Sequence, residues 1–92
     1  MTMFYSMHAI IARLNADKRH ATPHAVPQPG LLRATMGDDA FLAALDERRR
    51  WIAAHRIIVF HLDDLRDERG KVDGKLYRFA NELDAFAFRM RF

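Results

Sequence analysis

General acid–base, nucleophilic and metal chemistry in this 92-residue chain would have to be built from five histidines, twelve acids and a single serine, because there is no cysteine. His20 and His24 fall in a stretch that also holds Pro23, Pro27 and Pro29, so they do not share the face of a helix. A zinc site needs a third and usually a fourth donor, and no cysteine completes this pair. Neighbouring carboxylates occur at Asp38–Asp39 and Asp63–Asp64. Adjacent residues at a helix start point apart, so the first pair reads as capping. The second lies in a charged segment where nothing raises one pKa to make an acid. Ser6 has no base placed beside it. His55 and His61 bracket an apolar run and read as a helix-end cap and a sheet-edge cover. The four glycines, at 30, 37, 70 and 74, are too scattered for a phosphate-cradling loop. The expectation is a non-enzymatic protein with no metal and no cofactor.

Half of the residues are hydrophobic and 11% are aromatic, a globular composition rather than a disordered one. The length is that of one domain spanning 1–92, small enough for a partner or a second copy to add usefully to its stability. No apolar run approaches the ~18 residues that cross a membrane. The N-terminus has neither a basic region nor a cleavage pattern, so a cytoplasmic protein of a bacterial host cell is expected. The formal charge is +3, and residues 1–37 carry Arg13, Lys18, Arg19 and Arg33 against Asp17 alone. That excess permits contact with an anion or a nucleic-acid backbone without demanding one.

The elements that must position these groups follow from spacing. Met7, Ile10, Ile11 and Leu14 stand at i, i+3, i+4 and i+7, predicting a helix capped by Ser6 and stapled by Tyr5 and Ile10; a strand over 3–11 is the rival. Residues 20–30 read as a proline-rich linker or arm. Thr35 with Asp38 matches a capping box ahead of a long helix over 39–55. On that helix Phe41, Leu45 and Ile52 form an apolar stripe flanked by Leu42 and Trp51. Arg48 falls inside the stripe, either with its stem along apolar surface and its head in water, or facing an anionic partner. Arg56–Leu62 predicts a buried strand, residues 63–74 an exposed charged excursion, and Lys75–Phe79 a strand pairing antiparallel with the first. Asn81 caps a short helix with Leu83, Phe86 and Ala87 inward. Residues 85–92 also alternate as a strand, so a helix through Phe88 followed by a third strand over 89–92 is the expectation. The fold class is therefore α+β: a small antiparallel sheet with the hairpin 56–62/75–79, packed on the long helix with flanking helices.

With the search for reactive groups empty, binding remains. Arg13, Lys18, Arg19 and Arg33, joined by Arg48 and Arg49, are the candidate contacts to RNA or DNA backbone, with Tyr5, Trp51 or Tyr77 able to stack on bases. Trp51 and the Phe86–Phe92 surface suit a protein interface or a homo-oligomer. The C-terminal run YRFANELDAFAFRMRF resembles the tails of small phage proteins that inhibit host machinery, anti-CRISPR proteins among them. The resemblance covers about a fifth of the chain and transfers no functional residue. It implies a small basic protein docking on a host nucleoprotein complex.

Overall fold

A computed structural model describes residues 7–92. Ser6 and Tyr5, and with them the predicted cap, staple and stacking ring, lie outside the described residues. The fold is α+β. Its elements in order are α1 (Met7–Ala21), β1 (His24–Pro29), α2 (Arg33–Met36), α3 (Asp38–Ala54), β2 (Phe60–Arg66), β3 (Val72–Phe79) and α4 (Glu82–Arg91). The three strands form an antiparallel sheet in the order β1-β3-β2.

The core lies between one face of the sheet and the helices α3 and α4. β3 alternates, so that Tyr77 and Phe79 are buried on the helical side. There Phe88 of α4 packs against both rings, at 4.8 and 5.1 Å between centroids, and Trp51 of α3 meets Phe88 edge-on at 5.6 Å. Val26 from β1, with Phe41 and Ile52 from the predicted stripe of α3, completes the cluster. No described helix is long and apolar enough to cross a membrane.

Several local expectations are corrected. The apolar run before residue 60 is not the buried strand. Ile57 packs into the core as the chain leaves α3, but Ile58 is 88% exposed and the strand begins only at Phe60. The ladder is set by the turn beyond it. The Asp67 carboxylate accepts from the amides of Arg69 and Lys71, and Gly70 takes a positive φ of 79°. The hairpin thus closes at 67–71, drawing residues 63–66, three of them charged, into β2. The proline-rich stretch is not a linker: His24–Pro29 is an edge strand paired with β3 from His24–Phe79 to Pro29–Gly74. The third strand is accordingly β1, and residues 89–92 do not form one; the helix runs on to Arg91. Asn81 does cap it, its Oδ1 accepting from Leu83 N at 2.8 Å. The inward residues are Ala85 and Phe88, while Leu83 and Phe86 are exposed. The capping box at Thr35 does not form either, since Thr35 belongs to α2 and the N-cap of α3 is Gly37, which has no side chain to cap with.

Candidate functional site

The predicted contact residues are distributed over three helices, and most of them are held internally. Arg19, in the last turn of α1, grips Asp63 of β2 with two bonds, Nε to Oδ2 at 2.7 Å and a terminal nitrogen to Oδ1 at 3.0 Å. Such a paired, charge-assisted contact holds the carboxylate in its ionised form. The Asp63 pKa is lowered chiefly by this bond, with His61 and Arg78 adding smaller pulls against the cost of burial. Arg33 pairs with Asp38 at 3.1 Å and lies over the Phe41 ring. Arg49 and Arg50 share Asp46 one turn away, and the bond from Arg49 is the main reason that the Asp46 pKa is lowered.

Arg48 resolves the mismatch in the α3 stripe. Its Nε donates to Gln28 Oε1 at 3.0 Å and a terminal nitrogen donates to Ala44 O at 3.0 Å, while the guanidinium lies over Phe92. Gln28 is buried on β1, so Arg48 joins helix to sheet rather than protein to partner. Trp51 is likewise half-buried, stacked on His55 at 3.8 Å and edge-on to Phe88 and Phe92. His55 caps the helix end, its Nδ1 lying 2.8 Å from Trp51 O. Tyr77 is buried, which raises its phenol pKa and removes it as a stacking platform. Among the described residues no group of three His, Asp or Glu is placed to hold a metal.

Two of the predicted contacts remain unengaged among the described residues, the side chains of Arg13 and Lys18, and both stand on α1. This helix carries the feature that sequence reasoning missed. None of its residues is buried, and every one but Asn15 is exposed. The predicted apolar face is there, with Met7 70%, Ile11 50% and Leu14 54% exposed, yet it is not turned into the core. Ile10, Arg13, Leu14 and Asp17 line a concavity along it. Among the described residues, the C-terminal end of α1 is tied to the sheet. Thr22 is buried and returns its amide and hydroxyl to Lys18 O, and Arg78 donates to the carbonyls of Thr22 and Arg19. The 3.6-residue period located the stripe; nothing in the period said which way it would face. No protein-family model, no curated protein and no solved structure matches this chain.

Proposed function

We propose that this is a non-enzymatic binding protein that docks on a macromolecular partner through α1. The apolar stripe Met7–Ile10–Ile11–Leu14 supplies contact area, and Arg13 and Lys18 supply charge. The observation that carries this reading is a 15-residue helix with no buried residue. Isolated helices of that length are marginal in water, and most helical stability comes from packing an apolar face. A partner with an apolar groove rimmed by carboxylates or phosphates would complete the helix, in the helix-in-groove mode. A host nucleoprotein complex in a bacterial cytoplasm, the setting that the resemblance of the C-terminal run implies, offers both chemistries and is the partner class we propose.

Affinity capture from a bacterial lysate tests the reading, comparing the wild type with the double variant Ile10→Asp/Leu14→Asp, with and without nuclease. Both changed positions are exposed, so the fold is retained, which circular dichroism checks. The expected result is a discrete partner lost in the variant. Equal capture by the two proteins overturns the role of α1. A captured complex whose affinity does not fall with salt overturns the role of the two cations.

A further inference from the structure

The two margins of the sheet are chemically unequal. In an antiparallel ladder the N–H and C=O of a residue point to one side, and successive residues alternate. Gly30 N donates to Asp73 O at 2.8 Å, and Ala80 N reaches Val59 O at 3.5 Å. Odd residues of β3 therefore turn toward β1 and even ones toward β2. By the observed registers, Ala25, Pro27 and Pro29 turn to the outer margin of β1. Proline has no N–H, so Ala25 is the one donor there, and the margin is closed to another strand. On β2 the odd residues turn inward, leaving the N–H and C=O groups of Phe60, Leu62 and Asp64 aimed outward with no proline among them.

The open margin is also apolar. Phe79 is fully buried, whereas its cross-strand neighbour Phe60 is 39% exposed, as is Leu62 opposite Tyr77. The helical layer covers β3 and stops short of β2, leaving a groove between Leu45, Arg49 and Ile52 of α3 and the side chains of Phe60 and Leu62, with Arg49 turned to Asp46. Ile58 and Val59 extend the strand line and are 88% and 53% exposed.

We propose that two copies of this chain pair antiparallel through β2, about a twofold axis at Phe60, giving a continuous six-stranded sheet. A twofold requires a patch complementary to itself. Centred on Phe60, the pairing sets this ring against its own copy, Leu62 against Ile58 and His61 against Val59, with no like charges opposed. Centring on Leu62 would face Phe60 with Asp64, and centring on Asp63 would oppose two carboxylates. In the favoured register both helical layers lie on the same side, so the two grooves meet. At roughly 180 Å² for a large apolar side chain, the exposed parts of these four residues come to about 400 Å² per copy. With the paired backbone and the groove walls, the total approaches the ~1,200 Å² at the lower bound of stable interfaces.

Because the chain has no cysteine, Phe60→Cys reports a symmetric contact directly. In the proposed register the two introduced thiols sit on opposed residues with Cα atoms ~5.5 Å apart, within disulfide range. The expected results are a concentration-dependent dimer in sedimentation velocity, a disulfide-linked dimer of Phe60→Cys under mild oxidation, and none from Leu62→Cys. Ile58→Lys, at a nearly fully exposed position, raises the dimer dissociation constant by at least ~10-fold, while Ile10→Asp/Leu14→Asp leaves it unchanged. A monomer at every concentration overturns the proposal. So does a dimer that withstands Ile58→Lys, one that Ile10→Asp/Leu14→Asp dissolves, or a cross-link through Leu62→Cys in place of Phe60→Cys.

Discussion

The guanidinium of Arg48 sits where a hydrophobic residue would be expected, and it shows how a cation can serve packing rather than recognition. Truncating it leaves Gln28 Oε1 on the buried β1 residue without its partner, a loss of ~1–3 kcal/mol. Urea titration of Arg48→Ala should show it, while Arg49→Ala, at an exposed side chain, stays within ~0.5 kcal/mol. Phe88 is the corresponding apolar test, being fully buried against Trp51, Tyr77, Phe79 and Phe92. Phe88→Ala should cost ~3–5 kcal/mol, of the same order as the whole stability of a small domain. Loss of the near-ultraviolet dichroism at 25 °C is the readout, with Phe86→Ala close to neutral. Asp63 carries a pH dependence. Its folded pKa is depressed by Arg19, so the stabilisation is present above the ordinary carboxylate value of ~3.9 and is lost as pH falls through the folded value. Asp63→Asn should therefore be less stable than the wild type at pH 7, and the gap should close below about pH 4.

At the scale of elements, β1 depends on one close approach. A Cβ at Gly74 would stand 2.2 Å from Gln28 O and 3.1 Å from the Pro29 Cα, both backbone atoms of β1. Gly74→Ala should push the strand away and cost at least ~1–3 kcal/mol, read as a lowered melting temperature. Gly74 is not a turn glycine, and no local pattern distinguishes it from Gly70, whose positive φ serves the hairpin. That contrast marks what was legible. Where one element could be judged by its own period, as in α3 with Phe41 and Ile52 or in the Tyr77–Phe79 alternation of β3, the sequence reading holds. Where the outcome depended on a distant neighbour, it does not. The prolines of β1 look like breakers until β3 is seen to need only the even-numbered amides. Residues 85–92 fit both periods, and the contacts of Phe88 and Phe92 with Trp51 favour the helix. The candidate contacts fared similarly. Charge and spacing identified the cations but could not say that Asp63, Asp46 and Gln28 would engage Arg19, Arg49 and Arg48.

The whole molecule is longer than its chain length requires. The radius of gyration is 15.2 Å and the principal extents are 52 × 30 × 25 Å, whereas a compact domain of this size has a radius near 12 Å. A helix of 15 residues spans ~22 Å, and α1, none of whose residues is buried, accounts for the excess. Amide exchange should therefore be fast through Met7–Leu14 and slowest in β3 and α4, measured by mass spectrometry on the unbound protein. Bound partner should slow exchange in α1 selectively. The prolines on the outer side of β1 carry a different consequence. Whatever strand joins at β2, the far border offers an incoming chain only one amide. Assembly by sheet extension is thus a terminated reaction, complete after a single addition, and a fibril cannot elongate from the finished pair.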